Sequence, residues 1–382
     1  MIGLDLHPNV FSAAMLTGRD AATARVEKIW EQRDPAGLDA WARTLPAGAI
    51  VVLEASGNTF TAVERMREAG VCAVVLESQR CGQIRKSYCA NDRVDAVKLA
   101  RIYLSGLAQV VWTPDARTRE RRELLQTYRK AVTTATRTRH RLKTFLRDHH
   151  VRLNQGVRLT AKSGAAQVRA SASWTPLQHL VLTEMLDELG LAHERRRRLD
   201  AAIAQEVARD ATMLRLMRLL GIRHIIAFAI LAVVGDITRF ANPKKLVAYL
   251  GLTPSVEDSG ETIRGRGHLV TAGRGDLRAL LVQSAHNALN QKSSPLHRWG
   301  WKLCLRKSHK NVAVAAVARK LTVAIWYLLR GCFTPLQQID ASLHIKLGKL
   351  ATAIGQATLR HLGYTSRSSF IEEKSRWLLN AT

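Results

Sequence analysis

The sequence predicts an α/β domain with a mixed sheet, followed by a helical stalk and a mainly α-helical domain. Strand-like and helix-like segments alternate through the first hundred residues, an arginine-rich helical pattern fills much of the next hundred, and apolar helical patterns dominate beyond residue 209. The 382 residues suffice for two or three domains, each with its own core. We therefore expect four segments, at residues 1–108, 109–208, 209–333 and 334–382.

The elements of the first segment follow the order β-β-β-α-β-α-β-α. The strand-like stretches are rich in β-branched and other apolar residues: MIGLDLH, FSAAML, RVEKIW, AIVVLEA and VCAVVLE. The helical stretches space their apolar residues three or four apart: PAGLDAWARTL, NTFTAVERMREAG and NDRVDAVKLARIYLSG. Three consecutive strands followed by crossover helices predict a mixed sheet with helices on its faces.

The second segment has the pattern of two long helices. In the first, apolar residues recur at helical or heptad intervals: Leu124, Tyr128, Val132, Ala135, Leu142 and Leu146. The second begins at Thr175-Pro176, a suitable cap and first-turn pair. Residues 154–173 are small and polar, which predicts a loop. Two antiparallel helices would then form the stalk.

The third segment regains an apolar core. Its longest apolar run, residues 225–234, is about half of what a membrane helix needs, which predicts a core helix and no membrane partner. A polar loop is expected at 253–275, with helices at 276–290 and 312–329. Residues 334–382 are expected to form an appended tail, to which we assign no role.

The charge of the chain is strongly basic and unevenly distributed. Lysine and arginine number 58 against 31 acidic residues, a net charge of +27. Residues 1–77 hold 7 basic and 10 acidic residues, so the remainder carries about +30. Residues 117–152 alone hold twelve basic and three acidic residues. Such an excess attracts polyanions, and nucleic acid is the expected partner.

The cysteines and the amino terminus indicate the compartment. The five cysteines form neither a CxxC pair nor a Cys/His cluster with zinc-ligand spacing, which suits a reducing cytosol. The first residues run directly into a strand pattern without a secretory signal. We expect a cytoplasmic protein that acts on nucleic acid.

Four acidic residues form the first candidate site. Asp5 lies within an apolar strand, where a carboxylate is costly to bury, and Glu54 ends another strand before Gly57-Asn58. Asp92 and Asp95 lie one helical turn apart. Singly, each acid could be a solvated cap. Together they would need cations, and their hard oxygen ligands favour Mg²⁺ or Mn²⁺, which support phosphodiester cleavage.

A polar loop around Ser259-Gly260 forms the second candidate site. Glycines would let its backbone approach a phosphate, and basic side chains would contact the phosphate oxygens: Arg264, Arg266, His268, Arg274 and Arg278. A serine here could attack phosphorus. Residue spacing alone favours an ordinary turn, however, because no nucleophile elbow or catalytic triad order is present. Thr253, Ser255 and Ser284 are equally available hydroxyls.

The combined motifs closely resemble a known family. GLDLH, VLEASGN and NDRVDAVKLA, followed by AYLGLTPSVEDSGETIRGRGHLVTAGRGDLRALL, are similar to insertion-sequence transposases with a DEDD RuvC-like (ribonuclease H-like) domain and a carboxy-terminal transposase domain. These are relatives of the Piv invertase, the bridge-RNA-guided recombinases. The resemblance covers residues 1–331. Gly221-Ile222-Arg223 departs from it, because relatives usually carry Gly-Ile-Gly there.

The resemblance implies a function and site roles. Asp5, Glu54, Asp92 and Asp95 would be the catalytic, metal-binding tetrad, and Ser259 would be the nucleophile that forms a 5′-phosphoserine link to DNA. A noncoding bridge RNA would pair with donor and target DNA, and homodimers would assemble into tetramers. The expected phosphate contacts of the stalk are Arg137, Arg139 and Arg141.

Two other functions compete with this one. The chain could be a RuvC-like nuclease or junction resolvase in which the tetrad activates water and Ser259 is structural. It could also be a non-enzymatic nucleic-acid-binding protein in which the acids only support the fold.

Overall fold

The computed structural model divides into two compact units, residues 1–117 and 118–382. It describes residues 1–78, 81–82, 92–153, 157–255, 257–259, 262–264, 269–270, 272–292, 294–332 and 342–380, with the backbone only at 92–93, 257–259 and 262–264. The α/β class followed by helices is confirmed. The finer division of the second unit into a stalk and a transposase domain stays a prediction.

A six-stranded mixed sheet forms the centre of the first unit. Its strands, in the order β3-β2-β1-β4-β5-β6, are β1 (Ile2–Leu6), β2 (Phe11–Thr17), β3 (Arg25–Arg33), β4 (Ile50–Glu54), β5 (Cys72–Leu76) and β6 (Val110–Val111). β1, β4 and β5 run parallel, while β2, β3 and β6 pair antiparallel to their neighbours. The predicted meander and crossovers are confirmed, and β6 is an additional short strand.

Helices cover both faces of this sheet: α1 (Leu38–Arg43), α2 (Thr59–Glu68) and α3 (Asp92–Leu104). Ile2 and Leu4 belong to one core, with Trp41 of α1 and Met66 of α2. The opposite face packs on α3, where Ala96 is buried with residues of β2. Because side chains alternate along a strand, Gly3 and Asp5 lie on the α3 face.

Gly3 allows α3 to approach β1 closely. A Cβ atom at Gly3 would overlap the carbonyl oxygen of Ala96 and crowd Ala100. The absence of a side chain therefore sets the position of α3 over the end of β1. The residue beside Ala96 on that helix is Asp95.

We expect Gly3→Ala to destabilise the first unit by about 1–3 kcal/mol, because backbone and helix would have to separate to accommodate the methyl group. The urea dependence of unfolding, followed by tryptophan fluorescence, measures this change. Gly37→Ala is the matched control, since a Cβ atom there meets nothing within 4 Å. Equal stability of the two variants would contradict the close contact between β1 and α3.

Helices build most of the second unit, together with a hairpin of β7 (Glu257–Ser259) and β8 (Thr262–Arg264). The helices are α4 (Ala116–Asp148), α5 (Lys162–Arg169), α6 (Pro176–Arg209), α7 (Ala211–Leu216), α8 (His224–Val234), α9 (Pro243–Tyr249), α10 (Gly275–Asn290), α11 (Pro295–Lys307), α12 (Lys310–Leu329), α13 (Leu343–Ile354), α14 (Gln356–His361) and α15 (Arg367–Asn380).

The antiparallel pairing of the two stalk helices is confirmed. The Thr138 hydroxyl donates to Glu188 (3.0 Å), while Arg121, nearer the start of α4, bonds Asp210 beyond the end of α6 (2.7 Å). A seam of buried leucines joins the pair: Leu142, Leu146, Leu182, Leu186 and Leu189. Thr175 and Gln178 form the capping box that starts α6, as the Thr-Pro sequence predicted.

The prediction of a loop at residues 154–173 is wrong in its second half, which contains α5. This helix is short and rich in small residues, so its sequence carries little apolar periodicity. Val168 is fully buried in the same core as Leu142 and Leu182. Packing rather than intrinsic propensity therefore stabilises α5.

The predicted core helix is confirmed as α8, nearly all of which is buried. Among the described helices, only α12 is long and apolar enough by composition to cross a membrane, and half of its most apolar window is buried. Its buried face, including Val314, Val317 and Leu321, belongs to the same core as Ile230 of α8. In this fold α12 is a core helix with one uncovered face.

The description of residues 334–382 as an appended tail is wrong. Leu347, Leu350 and Phe370 are fully buried in the main core of the second unit. The ammonium group of Lys346 is buried and donates to the carbonyls of Met217 (2.9 Å) and Leu219 (2.8 Å). Helices α13 to α15 are therefore integral to the second unit, because their leucines complete its core.

Candidate active site

Asp5 and Glu54 are neighbours at the carboxyl ends of two parallel strands. Leu4 of β1 pairs with Leu53 of β4, so the acids that follow them stand side by side. Adjacent strands are about 4.8 Å apart, and residues in register point to the same face. The Asp5 side chain is 16% exposed. The sequence-based prediction that both acids lie at one sheet edge agrees with this register.

Asp95 reaches the same place from α3. One cavity of about 480 Å³ is lined by the side chains or backbone of Asp5, Glu54 and Asp95, together with Leu6, His7, Pro8, Ser56, Gly57 and Asn58. Asp92 is the first residue of α3, one helical turn before Asp95, and its side chain lies outside the described part of the chain. Three of the four predicted acids therefore line one cavity, and the place of the fourth side chain stays a prediction.

The turn after β4 shapes one wall of the cavity. The Thr59 hydroxyl donates to the carbonyl of Glu54 (2.7 Å), and the Ser56 amide donates to the Thr59 hydroxyl (2.9 Å). Thr59 is fully buried. These bonds fix the chain around Glu54, so the sequence SGNT serves to hold the end of β4.

A histidine and a lysine lie beside two of the acids. His7 Nε2 lies 3.5 Å from an oxygen of Asp5, and Lys98 Nζ lies 3.4 Å from an oxygen of Asp95. The sequence analysis did not single out either residue. The available signals were the two-residue spacing of His7 from Asp5 at the end of a strand and the three-residue spacing of Lys98 from Asp95 on a helix.

The chemistry of the cavity suits a hard cation, since its acidic donors are all carboxylate oxygens. The arrangement is open. Among the described residues, no three His, Cys, Asp or Glu side chains are close enough together to enclose a metal ion. The donor set therefore fits Mg²⁺ or Mn²⁺, while a closed coordination shell would need Asp92 or an inward movement of these carboxylates.

Ser259 ends the first strand of a hairpin where the sequence predicted a loop. Ser259 pairs with Thr262, two residues separating them along the chain. Pro254 and Leu269, which flank the hairpin in the sequence, form an isolated antiparallel bridge. The loop prediction is wrong for these strands because three-residue strands are too short to produce a pattern. The side chains of Ser259 and Arg264, and the whole of Arg266 and His268, lie outside the described residues.

One rival hydroxyl is excluded by its surroundings. Ser284 is fully buried and donates to the carbonyl of Leu280 (3.0 Å) within α10. Ser255 is half-buried and remains a candidate beside Ser259.

Arg274 and Arg278 have partners within the protein. Arg274 bonds both oxygens of Asp276, at 3.1 and 2.7 Å. Arg278 donates to the carbonyls of Gly251 (3.1 Å) and Val270 (2.6 Å). The Arg278 bonds hold Gly251 and Val270, on either side of the hairpin, against the start of α10. Phosphate contact by either residue stays a prediction, and the structure adds this supporting role.

A tyrosine and several arginines pack where this segment leaves α9. Burial by itself would raise the pKa of Tyr249, but a hydrogen bond and the positive charge of Arg239, with Arg274 and Arg122 nearby, hold it below its ordinary value. The Arg239 guanidinium lies 4.5 Å from the Tyr249 ring centre. The sequence analysis missed this cluster because its members are distant along the chain.

The stalk arginines differ in their surroundings. Arg137 and Arg141 are exposed, and Arg139 is half-buried. Arg141 forms an exposed ion pair with Glu188 at 3.2 Å. A pair of this kind contributes little in water and can be exchanged for a phosphate.

Comparison with known proteins gives matches to transposases. Residues 213–299, which include the hairpin and α10, match the family described as Transposase IS116/IS110/IS902 family. A transposase of Sinorhizobium fredii, y4qE, is 27% identical over 63% of this chain, and the match spans 65% of that relative's length.

Two further relatives match over more of their length. A family 20 transposase of Pseudomonas aeruginosa is 27% identical over 87% of this chain and 98% of its own length. The transposase for insertion sequence element IS1111A of Coxiella burnetii is 23% identical over 86% of this chain and 89% of its own length.

Proposed function

Because this chain is an insertion-sequence transposase by its family match and its relatives, we propose that it cuts and rejoins DNA through a covalent phosphoserine intermediate. The Ser259 hydroxyl oxygen would attack the scissile phosphorus, the phosphorus–O3′ bond would break, and the proton would pass to the departing 3′ oxygen. Rejoining would be the reverse, with another 3′ hydroxyl displacing the serine. One phosphodiester bond is exchanged for another, so bond energy is conserved.

The acids of the first unit would support this attack. Asp5, Glu54, Asp92 and Asp95 would hold Mg²⁺ or Mn²⁺, whose positive charge would stabilise the attacking and leaving oxygens. The single observation that carries the proposal is the convergence of Asp5, Glu54 and Asp95 on one cavity. His7 and Lys98 would limit the repulsion between these carboxylates before cations bind.

The sequence places Ser259 and the acids in different units, 1–117 and 118–382. We propose that the complete site is shared between subunits of a homodimer, two of which assemble into a tetramer. Activity of mixed single-site variants tests this sharing.

A protein–DNA adduct that survives denaturation distinguishes the proposal from its rivals. A RuvC-like nuclease or resolvase that uses water would cleave without forming an adduct. A non-enzymatic binding protein would show no magnesium-dependent cleavage at all.

We further propose a noncoding bridge RNA as the guide that pairs with donor and target DNA. The basic excess of the second unit supports a polyanionic partner, and RNA as well as DNA meets this requirement. The DNA that flanks the reading frame tests this proposal: it should encode a structured segment with loops complementary to the element junction and the target. If the flanking DNA encodes no such segment, the proposal of an RNA guide is wrong.

The stalk arginines provide a further prediction. Replacing Arg137, Arg139 and Arg141 together by glutamine should weaken binding to all nucleic-acid sequences about equally and reduce the salt slope by up to about three counterions. Titrations at several salt concentrations measure this slope. Arg147→Gln serves as a single-site reference on the same helix, with a slope change of at most about one. An unchanged slope in the triple variant would show that these side chains do not contact phosphates.

A further inference from the structure

The second unit has an apolar groove that the proposed chemistry does not use. The groove encloses about 810 Å³ between α9, α11 and α12. Trp299 of α11 and Val323 and Tyr327 of α12 line it, with Lys244 of α9 and Arg319 and Lys320 of α12 among them. We refer to this feature as the tryptophan groove.

The tryptophan groove leaves a large apolar surface uncovered. Trp299 and Tyr327 are each 37% exposed. Helix α12 has a mean hydropathy of 1.7 in its most apolar window, although only half of that window is buried. Ala316, Val323 and Tyr327 lie on its uncovered face, which explains the excess apolarity. Concave apolar surfaces of this kind are typical of binding sites.

The charge around the groove restricts its occupant. Three basic side chains belong to its lining, and none of the described lining residues is acidic. The Lys320 ammonium lies 4.4 Å from the centre of the Trp299 ring, so a cation and an aromatic plane stand together. The matching ligand has a flat apolar part and an adjacent negative charge. An unpaired nucleobase with its phosphate has both.

We propose that the tryptophan groove binds an unpaired base of single-stranded DNA. The Lys320 ammonium leaves the Trp299 ring to contact a phosphate, so that the base stacks on Trp299 and Tyr327. Lys244 and Arg319 contact the neighbouring phosphates. This inference rests on the proposed function, because DNA cleavage and strand exchange expose unpaired nucleotides. The groove would hold one displaced strand away from the strands being rejoined.

Binding of a labelled twenty-nucleotide thymidine strand to the full chain tests the proposal. All variants carry Ser259→Ala, so the measurement does not depend on phosphoserine chemistry. Trp299→Ala should weaken binding of the single strand about tenfold or more, since stacking of one base on an aromatic ring has effects of this order. Binding of a twenty-base-pair duplex should stay within about twofold, because its bases are not available for stacking.

Two further variants separate loss of the ligand site from loss of the fold. Trp301→Ala removes a tryptophan of similar exposure (38%) from the same helix, outside the groove lining, and should leave single-strand binding unchanged. Ala316→Trp should fill the groove and reproduce the weakening without removing an aromatic ring. Circular dichroism melting confirms that each variant is folded.

The results can overturn the inference in three ways. Equal losses for Trp299→Ala and Trp301→Ala, or full single-strand binding by Trp299→Ala or Ala316→Trp, would exclude stacking in this groove. Tighter, Trp299-dependent binding of the corresponding uridine RNA would assign the groove to RNA instead. Because none of these measurements requires cleavage, they leave the serine proposal to its own test.

Discussion

Ser259→Ala is expected to abolish the covalent protein–DNA adduct and to lower recombination by about 10⁴-fold or more, because loss of a nucleophile removes the only bond between enzyme and intermediate. Serine is a weak nucleophile at its ordinary pKa, so its attack depends on stabilisation of charge at the phosphate. The adduct is measured by denaturing electrophoresis with labelled DNA. Binding of intact DNA should stay near wild type, since one small hydroxyl contributes little to a highly basic surface.

Ser255→Ala is the control for the serine prediction, because Ser255 precedes the hairpin in the same segment and is the second candidate for the nucleophile. It should form the adduct at the wild-type rate. Adduct formation by Ser259→Ala together with its loss in Ser255→Ala would transfer the nucleophile to Ser255. Strand cleavage without an adduct in the wild type would favour the water-using nuclease.

Mixing two inactive proteins tests how the site is assembled. If the acids of one subunit act with the serine of another, Asp5→Ala and Ser259→Ala proteins should recover part of the activity when combined. Each protein alone should remain inactive. No recovery in a demonstrated mixed oligomer would place both halves of the site within one subunit.

Asp95→Asn is expected to lower DNA cleavage about 10³-fold or more while nucleic-acid binding persists, because several kcal/mol of charge stabilisation at the phosphate would be lost. The substitution keeps the shape of the side chain and removes its charge. The same result is expected for Asp5→Asn, Glu54→Gln and Asp92→Asn. Cleavage rates at saturating magnesium and separate binding titrations measure the two effects.

Glu68→Gln is the matched control for the acid variants. Glu68 is an exposed carboxylate at the end of α2, outside the residues that line the cavity. It should cleave at the wild-type rate. An acid variant that also cleaves at the wild-type rate would exclude that residue as a ligand.

The sequence predicted the first unit well because its strand-like and helix-like segments alternate clearly along the chain. Its acids also lie in or at the end of apolar strands, where burying a carboxylate is costly. Asp5 was recognisable within an apolar strand, and Glu54 at the end of another. The contact between Gly3 and Ala96 was not recognisable, since nothing local to a glycine specifies which helix approaches it. The positions of His7 and Lys98 beside the acids likewise depend on the folded arrangement.

The second unit was predicted less completely for physical reasons. Helix α5 lacks apolar periodicity and depends on packing around Val168, while β7 and β8 are too short to show alternation. Helix α13 packs against α6, which lies more than a hundred residues earlier in the chain, and α15 packs on α13. Lys346 illustrates the difficulty, because a lysine within a sequence is expected at the surface and this one is buried against two carbonyls.

Because α13 to α15 belong to the core of the second unit, a copy of the gene that lacks them should encode a protein that does not fold correctly. A stop codon after residue 333 would spare every predicted catalytic residue and remove only the last 49 residues. The shortened protein would lose Leu347 and Phe370 from its core and would leave the carbonyls of Met217 and Leu219 without the Lys346 ammonium. Gene copies truncated in this way are therefore expected to be non-functional remnants, even when their DEDD and serine codons are intact.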